Sequence, residues 1–190
     1  MKFFKIIFVL VGIVSFLQSC KQQTAKTTNE KVSVTTLKQL LPSGTPIRIL
    51  IDKSDYKLSI FTADTLVKEY NVVFGGNPID DKEKEGDKRT PEGVFGVRDK
   101  YPHKSWSKFI WIDYPNASSW KKFNQRKANG IIKNGETIGG EVGIHGVPDG
   151  MDNIIDEKQN WTLGCISMKN KDVNEIYEYI TKKTKITIQK

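Results

Sequence analysis

Ile47-Arg48-Ile49-Leu50-Ile51-Asp52, then Lys53-Ser54-Asp55-Tyr56, then Lys57-Leu58-Ser59-Ile60-Phe61-Thr62 is the stretch that sets the fold class. Two short runs rich in Ile, Leu and Phe flank four turn-forming residues, which is the signature of a β-hairpin. The same grammar continues downstream. Residues 66–74, 93–98, 108–113, 142–145, 163–168 and 185–188 are further short segments rich in β-branched and aromatic side chains, bounded by turn residues. The expected architecture is mainly β. Helical patterning occurs twice, at residues 118–127 and in a segment capped by Asn170, where Val173, Ile176, Tyr177 and Ile180 recur on one face. Asp172 near the start of that segment and Lys182 and Lys183 near its end suit a helix dipole.

Upstream of the hairpin the composition changes. Residues 1–19 run from a basic start (Lys2, Lys5) through an apolar stretch from Ile6 to Leu17, too short to span a bilayer and suited to a secretory signal. The exit Leu17-Gln18-Ser19-Cys20 resembles a bacterial lipobox, in which cleavage leaves Cys20 as the first residue, carrying acyl chains. Several chains on one residue anchor stably where one binds marginally. An ordinary signal with a cysteine at its boundary, or an uncleaved anchor, would share the pattern. Residues 20–45 then read as the lipidated cysteine and a polar tether, with a weak apolar patch at Leu37, Leu40 and Leu41, and residues 46–190 as one domain beginning near Ile47. The formal charge of +8 becomes +6 without Lys2 and Lys5. It is mostly lysine, without the arginine and aromatic clustering of a nucleic-acid surface, so it reads as solvated exterior.

If Cys20 is acylated, Cys165 is an unpaired thiol in an exported protein, for which nucleophilic catalysis is the best reason. It stands in Trp161-Thr162-Leu163-Gly164-Cys165-Ile166-Ser167-Met168, preceded in the chain by Ile144-His145-Gly146. Strand alternation puts Val142 and Ile144 on one face and His145 on the other, and sets Cys165 and Ser167 opposite Ile166 and Met168. Glycines 143, 146 and 164 allow close backbone approach around the pair. A free thiol is only a few per cent ionised at neutral pH, so a neighbouring histidine is what makes it a useful nucleophile. Two histidines and one available thiol assemble no metal-ligand spacing, so no metal or other cofactor is expected.

Three blocks in order, Gly86-Asp87-Lys88-Arg89-Thr90-Pro91-Glu92-Gly93-Val94-Phe95, Ile144-His145-Gly146 and Thr162-Leu163-Gly164-Cys165-Ile166-Ser167-Met168, resemble the L,D-transpeptidase catalytic domain, the YkuD-like family. The resemblance covers roughly residues 47–190. It implies a β-sandwich or barrel of mixed strands with one or two peripheral helices, and peptidoglycan stem peptides as substrate. It further implies that Cys165 attacks the carbonyl at stem position three and D-alanine leaves, that His145 is the base, and that the Gly146 carbonyl orients its imidazole. The N–H groups of Gly164 and Cys165 would face the oxyanion, and carbapenems would acylate the cysteine. Thr162, Ser167, Trp161 and Tyr114 are candidate substrate contacts.

The family pattern often has histidine before the glycine and arginine or asparagine two after the cysteine, where this chain has Leu163 and Ser167. Neither can supply the same donors. Three functions stay open: a transpeptidase forming links between third stem residues or attaching a protein; a carboxypeptidase or cross-link hydrolase with the same acyl-enzyme; and a non-catalytic wall-binding lipoprotein. Each places the protein in the cell envelope, lipid-anchored and facing the periplasm if the cell has an outer membrane. The run Asp80-Asp81-Lys82-Glu83-Lys84-Glu85 reads as a solvated, mobile loop and His103 as a surface residue in a turn. Of the four tryptophans, most are assigned to packing rather than to a glycan groove.

Overall fold

The computed structural model describes residues 35–190, so the expected signal, Cys20 and the first part of the tether lie outside the described residues. The hairpin forms as its pattern requires. Strand β1 (Arg48–Asp52) pairs antiparallel with β2 (Lys57–Thr62), Ile49 facing Ile60 and Ile51 facing Leu58. Strand β3 (Thr65–Asn71) continues on the far side of β2. On its other edge β1 takes β9 (Lys185–Gln189) in parallel, with Ile186 and Ile188 level with Ile49 and Ile51, and β4 (Gly93–Phe95) closes the sheet as β3-β2-β1-β9-β4. Those four isoleucines are all buried, each contributing on the order of 1.5–3 kcal/mol of transfer free energy.

A second sheet, β5-β6-β7-β8, carries the chemistry. Strand β5 (Val97–His103) pairs antiparallel with β6 (Ser107–Ile112), β6 with β7 (Gly143–His145), and β7 runs parallel to β8 (Ile166–Ser167). One hydrophobic cluster joins side chains of both sheets, among them Ile49, Ile51, Ile60, Ile110, Ile144 and Ile166. The mainly β, mixed-strand expectation holds. The first expected helix is present as α2 (Ala117–Ala128), capped by the Asn116 side chain on the Ser119 N–H.

Several local expectations shift. Residues 72–74 leave β3 and cross to the second sheet, where Val73 exchanges two 2.8 Å backbone hydrogen bonds with Ser167. A short helix α1 (Leu37–Leu40) precedes the hairpin, and Leu37 and Leu41 join the core, so the packed chain reaches further back than Ile47. The short helix α3 (Asn153–Asp156) carries no periodic signal long enough to read. Asn170 is not the cap of the next helix but its first residue: α4 spans Asn170–Tyr177 with Lys169 at the cap position. The Asn170 side chain instead accepts from the Val147 N–H at 3.0 Å. Helix α4 also stops short of Lys182 and Lys183, leaving no basic residue in its last turn. The apolar period misled because Ile180 stays in the core after the helix has ended. Among the described residues no helix is long and apolar enough to cross a membrane.

Candidate active site

Strands β7 and β8 bring His145 and Cys165 to one cleft. Their parallel register pairs Ile144 with Ile166 and His145 with Ser167, so Cys165, two residues before Ser167, falls level with Gly143 and presents its side chain to the same face as His145. Both line a cleft of ≈ 800 Å³, ample for a peptide segment. Its walls come from the β5–β6 hairpin and its turn (Tyr101, His103, Trp106, Phe109, Trp111), from the turn at Trp161–Cys165, and from the loop that includes Lys82 and Lys88.

The imidazole is fixed in one tautomer. Nδ1 of His145 lies 2.6 Å from the Gly146 carbonyl oxygen, which can only accept, so Nδ1 carries the proton and Nε2 keeps its lone pair. The Ser167 hydroxyl donates to the same carbonyl at 3.1 Å, while the Gly146 N–H donates to Trp106 O at 3.0 Å. Rings pack around the histidine: Trp106 stacks on it at 4.4 Å between centroids, Phe109 lies nearly parallel at 5.9 Å, and Trp161 meets it edge-on at 5.6 Å. Burial drives the His145 pKa down to about 4; the Gly146 hydrogen bond opposes that fall and His103 adds to it. The Cys165 thiol donates to Glu141 O at 3.6 Å. Burial pushes its pKa up to about 11, against the pull of the Gly143 N–H and of Lys82 and with a further push from Glu141. At neutral pH the resting pair is therefore thiol and imidazole, not thiolate and imidazolium.

Such a pair, with a base held by a backbone carbonyl instead of a carboxylate, is equipped for acyl transfer. The model of YkuD, the L,D-transpeptidase catalytic domain, matches residues 46–188. The chain belongs to that family.

Solved structures agree on the fold of this L,D-transpeptidase domain. Bd1075 of Bdellovibrio bacteriovorus is 22% identical at a TM-score of 0.53, over 79% of this chain and 51% of that one. The helical cell shape determining protein Pgp2 of Campylobacter jejuni is 23% identical at 0.55, over 76% of this chain and 47% of that one. L,D-transpeptidase 3 of Mycobacterium tuberculosis, solved with a faropenem-derived adduct, is 10% identical at 0.51, over 76% and 60%. The chain thus spans about half the length of the first two. No curated protein matches it.

The remaining expected site residues divide. Trp161 lines the cleft beside His145, and Thr162, though buried, lines it too. Thr162 Oγ1 donates to Cys165 O at 2.7 Å and accepts from the Gly164 N–H at 3.1 Å, so it shapes the turn that carries Cys165 and occupies one of the two N–H groups expected to face an oxyanion. Ser167 is fully buried on the Gly146 carbonyl and does not line the cleft, so it supports the carbonyl that holds His145 and does not face the cleft. Tyr114 is a correction: it is 2% exposed, donates its hydroxyl to Ile138 O at 3.1 Å, and lies in a separate small cavity with Phe123 and Arg126. Its aromatic character served the core.

Sequence reasoning also missed residues. His103 is no surface turn residue: it ends β5 and stacks on Trp106 at 4.3 Å, in the cleft wall. Trp106, Trp111 and Trp161, three of the four tryptophans, line the cleft. The spacing His103-Trp106-Phe109 across a hairpin turn was the signal available for this wall. The run from Asp80 to Glu85 is tied down, with Asp81 receiving Lys122 at 2.9 Å and Arg126 at 2.8 Å and Lys82 buried.

Gly146 is the tightest point of the site. A Cβ there would overlap Asn170 Oδ1 and stand 2.7 Å from Trp106 O, so Gly146→Ala must move the carbonyl that holds His145. The expected result is a loss of about 1–3 kcal/mol of stability by denaturant titration, together with a fall in turnover in the fraction that remains folded.

Proposed function

We propose that this protein is a peptidoglycan acyltransferase that acts on stem tetrapeptides through a Cys165 acyl-enzyme, forming cross-links between third residues or attaching a protein. The single observation that supports this most is the His145 tautomer, with Nδ1 committed to the Gly146 carbonyl and Nε2 open on the face shared with Cys165. The thiol turns from Glu141 O toward Nε2 and gives up its proton as sulfur attacks the carbonyl; the bond to D-alanine then breaks, its amine taking the proton from His145. An acceptor amine next attacks the thioester carbonyl and passes its proton to His145, the C–N bond forms as the C–S bond breaks, and the thiolate takes the proton back. The substrate is a polymer of the envelope, where lipid on Cys20 would hold the domain.

The test is mass spectrometry of products from disaccharide-tetrapeptide incubated with the protein. Dimers joined through two third residues are expected. Tripeptide without dimers would make water the acceptor and the enzyme a carboxypeptidase, while neither product would return the non-catalytic reading.

A further inference from the structure

Lys82 occupies an unusual place for a lysine. Its side chain is 4% exposed, in a loop whose sequence reads as solvated, and it forms part of the wall of the cleft that holds Cys165. Burying an ammonium costs several kcal/mol unless partners replace its water. Two do so. Nζ donates to Asp87 Oδ1 at 2.7 Å and to Lys84 O at 3.0 Å. An ammonium has three donors, and the third has no protein partner among the described residues.

The geometry says what the third donor is near. Nζ stands 3.9 Å from where a Cβ on Gly164 would lie. That Cβ is absent, and Gly164 holds a φ of +138° that only glycine adopts readily, with Arg89 O packed on the same side at 2.8 Å from the Cβ position. The cation therefore faces the backbone immediately before the nucleophile without a side chain between them. Of the two N–H groups there, that of Gly164 is already given to Thr162 Oγ1. Acyl transfer at this point creates one negative charge: the thiol proton goes to His145 Nε2, the S–C bond forms, and the carbonyl π pair moves onto oxygen. A site with one backbone donor committed elsewhere needs another positive group.

We propose that Lys82 is a catalytic residue whose ammonium stabilises the negative charge developed at Cys165 and at the substrate carbonyl oxygen. The proposal rests on the acyl-transfer reading above. Asp87 then has the opposite part to Lys82. It accepts the N–H groups of Glu83, Lys84 and Arg89, which shapes the loop, and partly neutralises the cation. The charges that act on the thiol are Lys82 from this loop and Glu141 before β7, and the other titratable groups lining the cleft are Glu85, Lys88, Tyr101, His103 and His145.

The two halves of the Lys82–Asp87 pair give a test that a purely structural role fails. Alkylation of Cys165 by iodoacetamide is followed at pH 7.5 by peptide mass spectrometry on the full chain in detergent, alongside the melting temperature. Lys82→Met removes the charge at similar volume and is expected to slow alkylation about tenfold and acylation by tetrapeptide about a hundredfold. Asp87→Asn unmasks the cation and is expected to speed alkylation several-fold, although the loop loses part of its support. Lys82→Arg is expected to restore alkylation in part. If both neutralising variants slow alkylation alike, or neither changes it, the pair is only a loop staple and the proposal falls. Should Lys82→Met not fold, a folded Asp87→Asn that alkylates more slowly than the parent overturns it equally. Failure of the acyl-transfer reading looks different: tetrapeptide acylates none of the proteins, while the alkylation order among them persists.

Discussion

Cys165→Ala is expected to bring turnover of tetrapeptide to the uncatalysed background while leaving the fold intact, read as loss of all products by mass spectrometry and an unchanged melting temperature. The magnitude follows from the role. In the proposed mechanism the sulfur forms the bond that divides the reaction into two easier steps, and neither neighbouring hydroxyl replaces it: Thr162 is committed to Cys165 O and Ser167 is buried on Gly146 O. The stability cost is small because the thiol makes one long hydrogen bond, to Glu141 O, and packs little apolar volume. The resting protonation state adds a second readout. With the thiol pushed up to about 11, iodoacetamide labelling of Cys165 should keep rising through pH 9 and beyond. A labelling rate that levels off by pH 7 would mean a preformed ion pair and would overturn the neutral resting state. Residual product formation by Cys165→Ala would overturn the mechanism itself.

The sequence made some of this legible for reasons that are physical. A strand has to alternate, so Ile49 and Ile51, and likewise Ile186 and Ile188, announce an inner face before any partner is known. That Cys165 and His145 share one cleft was legible because the two together, with glycines around them, outweigh the packing role that either would have alone. What stayed hidden depends on contacts far apart in the chain. Asp81 and Lys82 look the same in sequence whether water or a buried partner surrounds them, and the partners of Asp81, Lys122 and Arg126, lie 41 and 45 residues away. His103 was hidden for a related reason, since its neighbours Tyr101-Pro102 suggested a turn whereas β5 runs on through them as an edge strand, where proline is tolerated. Tyr114 shows the reverse error: an aromatic residue just past a strand can serve a glycan groove or a core equally well by type, and only its burial decides.

His145→Gln carries the other large effect, and it splits activity from stability. Glutamine approximates the size of imidazole and its amide can still donate to the Gly146 carbonyl, but it offers no base, so turnover should fall by roughly a hundred- to ten-thousandfold. Stability moves the other way in acid. The folded-state pKa of His145 is lowered to about 4 from an ordinary 6.5, so between those values the unfolded chain binds a proton that the folded protein refuses. Stability contributed by the neutral ring is therefore fully present above about pH 6.5 and is lost as pH falls toward 4, by about 1.4 kcal/mol per pH unit. At pH 4.5 this amounts to roughly 2–3 kcal/mol. Glutamine does not titrate, so urea titrations of the parent and of His145→Gln at pH 7 and pH 4.5 should show a smaller acid loss in the variant by about that amount. Equal acid losses would mean that folding does not lower the His145 pKa at all, which the aromatic wall of Trp106, Phe109 and Trp161 around a 1% exposed ring argues against. The burial that keeps the ring neutral, and so able to accept a proton at neutral pH, is the same burial that makes the fold acid-sensitive.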